Sequence, residues 1–142
     1  MNSAIFTALG KIASRYRLSA VYLFGSRAKE AAALLLHGSE GLPESGKDLD
    51  IAVLPGAQVV LSAREKVEIS LGLEELFGST RVDLVVLPEA DPFLAVNAIR
   101  SERVYCSDEH RADEYELYLL RRAGDLVPLE RQRIRMILGE EE

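Results

Sequence analysis

Apolar residues recur at helical spacing through the first seventeen positions. Ile5, Leu9, Ile12, Ala13 and Tyr16 share one face and Lys11, Arg15 and Arg17 lie largely on others, which predicts an amphipathic helix over 3–17. The pattern then changes. Ala20 to Phe24 is an unbroken apolar, β-prone run that leads into Gly25-Ser26 and the helix-forming stretch Arg27 to Leu36. From His37 to Lys47, Gly38, Gly41, Pro43 and Gly46 interrupt all periodicity, and this segment reads as a surface loop.

A second strand is expected from Asp48 to Leu54, closed by Pro55-Gly56. Ser62 and Glu65 then stand at capping-box spacing ahead of a helix that Gly78 stops. A third strand, Arg81 to Leu87, ends at Pro88, and Asp91-Pro92 supplies a cap and first-turn proline for a helix through Ala98. Glu102 to Cys106 reads as a short fourth strand. Asp108 opens a helix carrying Tyr115, Leu119 and Leu120, expected to break at Gly124, with a separate last helix from Pro128 to Gly139. Strands alternating with helices predict an α/β fold, a small mixed sheet flanked by helices, as one domain over 1–142.

Within this apolar scaffold the acids stand out. Asp48 and Asp50 open the run Asp-Leu-Asp-Ile-Ala-Val-Leu. Alternation along a strand puts both on one side, roughly 6 to 7 Å apart. At an effective dielectric of about 20 their repulsion is on the order of 2 to 3 kcal/mol, which a cation between them would remove. The plainer alternative is a pair of hydrated acids at a strand entrance. Asp83 weighs against it, because it lies inside a second apolar run, Val82 to Leu87, where an unpartnered Asp is rare. Two neighbouring strands would bring the three carboxylates to one edge, a donor set suited to two hard cations.

Composition narrows the classes. The chain has 142 residues, 48% hydrophobic and 28% charged, enough for one globular domain with a core. It shows neither a membrane-span-length apolar stretch nor a signal-peptide pattern, so a cytoplasmic location is expected. Cys106 is the sole cysteine and is expected as a buried core thiol; with two histidines, a zinc site is not indicated. A net charge of −6 argues against general nucleic-acid affinity, a local basic patch aside. Gly25-Ser26, at a strand-to-helix junction, can offer free amides and a dipole end to phosphate, and Arg27 could reach a triphosphate; a plain helix cap is the alternative.

Read in order, Leu23-Phe24-Gly25-Ser26-Arg27-Ala28, then Asp48 to Leu54, then Val82 to Leu87 resemble the nucleotidyltransferase superfamily that includes DNA polymerase beta. The resemblance covers most of the chain and is to the minimal nucleotidyltransferases, the MntA-type antitoxins of HEPN/MNT toxin–antitoxin pairs. It implies a polymerase beta-like fold in which Asp48, Asp50 and Asp83 are catalytic and hold two Mg2+ ions, with ATP as substrate. Gly25, Ser26 and, less directly, Arg27 would bind the nucleotide. One departure is the spacer of 21 residues between Ser26 and Asp48, longer than that of compact members. The enlarged loop leaves any role of Lys29 or Lys47 undefined.

The resemblance further implies an antitoxin that transfers AMP from ATP to a tyrosine hydroxyl of a cognate HEPN ribonuclease toxin, its partner in a hetero-oligomer. Nucleotidyl transfer to a small hydroxylated compound, or a catalytically silent antitoxin that blocks its toxin sterically, are the competing expectations. Arg121, Arg122, Arg131, Arg133 and Arg135 flank apolar positions in the last helical region and would suit an acidic partner, if they are not simply a solvated face. Tyr105, Tyr115 and Tyr118 are expected as packing residues.

Overall fold

The computed structural model describes residues 3–38, 42–43, 46–78 and 80–139. Its elements run α1 (Ala4–Arg15), β1 (Leu18–Phe24), α2 (Ala28–His37), β2 (Leu49–Pro55), α3 (Ala63–Leu76), β3 (Val82–Val86), a 3₁₀ turn (Leu87–Glu89), α4 (Pro92–Ile99), β4 (Glu102–Cys106) and α5 (Glu109–Leu138). The sheet order is β3-β2-β1-β4. β1 is antiparallel to both β2 and β4, and β2 is parallel to β3.

The two central strands are mostly apolar, broken by Ser19 in β1 and Asp50 in β2, because helices cover both faces of the sheet. All seven residues of β1 are buried, and in β2 only Asp50 escapes full burial. On one face Leu9, Ala13, Leu35, Ile69, Leu73 and Phe77 from α1, α2, α3 and the end of α3 meet Val21, Leu23, Ile51 and Val53. On the other, Ala95, Ala98, Ala112 and Leu119 of α4 and α5 meet Ala20, Tyr22, Phe24, Ala52 and Leu54. The alanines let α4 and α5 lie close against the sheet.

Helix starts follow the expected chemistry. Ser62 and Glu65 form a reciprocal capping box, with 3.1 Å and 3.0 Å hydrogen bonds, and the Asp91 carboxylate accepts from the Phe93 and Leu94 amides ahead of Pro92. β4 spans the expected residues, whereas β1 begins earlier, at Leu18, after a turn in which Arg17 adopts a φ of 59°.

The C-terminal region differs from expectation: there is no break, and α5 is one helix of 30 residues through both Gly124 and Pro128. Gly124 is not among the positive-φ glycines, and only Gly139, at φ 75°, takes the left-handed conformation that ends the helix. A proline ring presses on the carbonyl four residues earlier, here that of Gly124, where no side chain adds to the crowding. The strong helix formers on either side carry the helix across. The 37–47 segment is also anchored where it is described. Leu42 is buried in the α1–α3 core and its amide donates to the Phe77 carbonyl at 3.1 Å; positions 39–41, 44 and 45 lie outside the described residues. Among the described residues no helix is long and apolar enough to cross a membrane.

Candidate active site

The register of β2 against β3 brings the acids together. Asp50 pairs directly with Asp83, and Leu49 with Val82. Leu49, Ile51 and Val53 point into the core under α1, α2 and α3, so Asp50 shares the opposite side with Ala52 and Leu54. Asp83 shares that side with Val85. Phe24, the last residue of β1, pairs with Asp50 from the other flank. The site therefore lies where β1 ends and β2 and β3 begin.

Asp48 stands one residue before β2, exposed, with the Nε of Arg81 3.9 Å from its Oδ2. Arg81 was not singled out in the sequence. Its only cue is its place immediately before the strand that carries Asp83. Asp50 is half-buried and its carboxyl pKa is raised, first by desolvation and then by the charges of Asp83 and Asp48. Such a carboxylate gains from a cation or from losing its charge. Among the described residues no three acidic, histidine or cysteine groups converge closely enough to enclose a metal ion by themselves. An all-carboxylate, hard-oxygen set that needs outside ligands suits Mg2+, which keeps water and substrate phosphate in its shell.

Gly25 is tied to Asp50 by space as well as by conformation. Its φ is 78°, and a Cβ there would overlap Asp50 Oδ2 and lie 3.1 Å from Asp50 Cγ. Only glycine lets the turn pass this close to the carboxylate. The helix that follows is unlike the others. Ser3, Ser62, Asp91 and Asp108 cap α1, α3, α4 and α5 with side-chain oxygens, whereas α2 has no side-chain cap. Ser26 is exposed in the turn and does not cap the helix. The N-terminus of α2 thus opens beside Asp50 with its dipole uncompensated by a cap.

Arg27 is buried beside the turn. Only 3% of it is exposed, and its guanidinium donates to Glu30 Oε1 at 2.5 Å, to the Pro43 carbonyl at 2.6 Å and to the Lys47 carbonyl at 3.2 Å. In the structure Arg27 acts as a clamp joining the turn after Ser26 to the residue before Asp48. The sequence signal was the long loop itself, which needs a buried multidentate donor to hold its carbonyls. The Tyr22 hydroxyl, within the sheet, donates to Glu116 at 2.6 Å, and Arg103 bridges Glu116 and Asp113 at 2.9 Å each. Burial raises the pKa of Tyr22, so it remains a neutral donor. Tyr105 and Tyr115 pack against the two cores, while Tyr118 is 56% exposed and stands beside Tyr115 instead of filling a core. Cys106 is half-buried at the edge of the α4–α5 core, not within it.

The family model described as polymerase beta, nucleotidyltransferase, matches residues 8–110. No curated protein matches the sequence. Solved structures do resemble it in fold. A chain from the crystal structure of a toxin–antitoxin with AMP-PNP superposes with a TM-score of 0.71 at 18% identity, covering 94% of this chain and 98% of that one. A chain from the complex of tri-AMPylated Shewanella oneidensis HEPN toxin with MNT antitoxin gives 0.68 at 18% identity, covering 94% and 96%. A mutant of the MntA–HepT type gives 0.71 at 17% identity, covering 97% and 99%.

Proposed function

The chain belongs to the polymerase beta nucleotidyltransferase family, and from that premise we propose that it is an antitoxin that transfers AMP from ATP to a tyrosine hydroxyl of a HEPN ribonuclease toxin. The observation that carries the reading is the register pairing of Asp50 with Asp83 against Gly25. The solved chains with the same fold come from toxin–antitoxin structures, one with AMP-PNP and one with an AMPylated toxin, which supports this choice of donor and acceptor.

In this reading the acceptor oxygen attacks the α-phosphorus of ATP. The new bond is tyrosine O–P, the bond to the β-phosphate oxygen breaks, and pyrophosphate leaves. Asp48 and Asp50 would hold Mg2+ with Asp83 completing the set, and bound Mg2+ neutralises charge on the phosphates and lowers the acceptor hydroxyl's pKa. Asp83 is exposed at the start of β3 and would take the hydroxyl proton. The Gly25 and Ser26 turn and the uncapped α2 N-terminus receive the triphosphate oxygens. Arg27 keeps Lys47, and with it Asp48, in place.

The test is intact mass of a purified HEPN toxin after incubation with this chain, ATP and Mg2+. Gain of one or more AMP masses with the wild type, and none with the Asp48→Asn/Asp50→Asn double variant, is expected. No added mass with neutralisation of a toxin retained would replace transfer by steric blocking.

A further inference from the structure

Arg81 belongs to the carboxylate edge by register. The Leu49 amide donates to the Arg81 carbonyl at 2.8 Å, which carries the β2–β3 ladder back from the Leu49–Val82 and Asp50–Asp83 pairs and sets Arg81 beside Asp48. Alternation then puts Asp48 and Asp50 from one chain segment and Arg81 and Asp83 from the other on the same side. These residues form a patch of three carboxylates and one guanidinium.

The guanidinium is lightly held. Its Nε stands 3.9 Å from Asp48 Oδ2, beyond hydrogen-bond distance, and the side chain is 83% exposed against 49% for Asp48. An exposed pair of this kind is a weak attraction. Arg27, by contrast, has its donors on Glu30 and two carbonyls. The main chain of Arg81 is fixed by the ladder, while its guanidinium makes no hydrogen bond among the described residues.

Asp48 cannot serve two cations equally. In the reading above it holds Mg2+, and a metal ion on that carboxylate repels the guanidinium beside it. The anionic surface then within its neighbourhood is the triphosphate, which suits a planar fork of donors. We propose that Arg81 is a phosphate-binding residue of this site, held on Asp48 until Mg2+ takes that carboxylate and then turned onto the triphosphate. The proposal rests on the nucleotidyl-transfer reading and adds to it a side chain that grips the tail of the nucleotide. Arg81 so placed opposes the bare metal ion and favours the metal together with its nucleotide.

Binding measurements without any acceptor protein test this. Mn2+ stands in for Mg2+ and is read by the loss of its free-ion paramagnetic resonance; ATP and inorganic tripolyphosphate are titrated calorimetrically at saturating MgCl2. Arg81→Gln is expected to bind Mn2+ about threefold more tightly and both phosphate ligands about tenfold more weakly. Its thermal midpoint without divalent cation should hold, because the side chain is exposed. Arg64→Gln makes the same charge change at an exposed pair on α3, where the adjoining Glu65 pairs with Arg17 ahead of β1, the end of that strand away from the site. It should alter neither affinity. Arg81→Lys should restore the Mn2+ affinity and only part of the phosphate affinity, since it keeps the charge and loses the fork. Unchanged Mn2+ affinity in Arg81→Gln, weakening confined to ATP, or an equal effect of Arg64→Gln would each overturn the assignment. A wild type that binds neither phosphate ligand would overturn the transfer reading with it, whereas a binding wild type matched by Arg81→Gln overturns this assignment alone.

Discussion

Replacing Asp50 by Asn should make the protein more stable while ending its activity. Asp50 and Asp83 are direct register partners on neighbouring strands, so their carboxylates stand about 5 Å apart. At an effective dielectric of about 20 the repulsion is roughly 3 kcal/mol, and the exposure of Asp83 screens this to about 1 kcal/mol. Asp48 adds less, since Arg81 stands against it. Asn keeps the shape beside Gly25 and removes the charge. The expected gain at pH 7 without divalent cation is about 3 °C in thermal midpoint. Because the folded-state pKa of Asp50 is raised, the folded protein holds this proton more tightly than the unfolded chain, and stability falls as pH rises through the raised value. The advantage of Asn is therefore present at neutral pH and absent below the ordinary aspartate value of 3.8. Scanning calorimetry at both pH values and at low and high salt reads it. A lower midpoint for the variant at pH 7, or the same gain in acid, would refute the argument that charge crowding strains this edge.

Gly25→Ala should destabilise by about 1 to 3 kcal/mol in urea unfolding, since the added Cβ meets the Asp50 carboxylate and the φ of 78° disfavours any L side chain. Arg27→Met strands the Pro43 and Lys47 carbonyls that it satisfies, and a loss of about 2 to 4 kcal/mol is expected, with faster amide exchange at Lys47 and Asp48. If Arg27 instead served mainly a phosphate, that variant would lower nucleotide affinity and leave stability and exchange unchanged.

Much of this protein was legible from local pattern. The apolar runs at Ala20 to Phe24 and Ile51 to Leu54 marked strands covered on both faces, and Ser62, Asp91 and Asp108 marked helix starts, because caps and strand burial depend on neighbours within a few residues. The three acids could be singled out because an Asp inside or beside such a run demands a reason. What depended on distant partners stayed hidden. The clamp that Arg27 makes on the Pro43 and Lys47 carbonyls, sixteen and twenty residues on, had no local sign. Gly124 and Pro128 read as a break, whereas α5 runs through both. Sequence alone determined which residues carry charge, turn and cap; tertiary structure decided the parallel register that sets Asp83 against Asp50 and the close approach of Gly25, since pairing across strands is settled by the packing of the whole sheet.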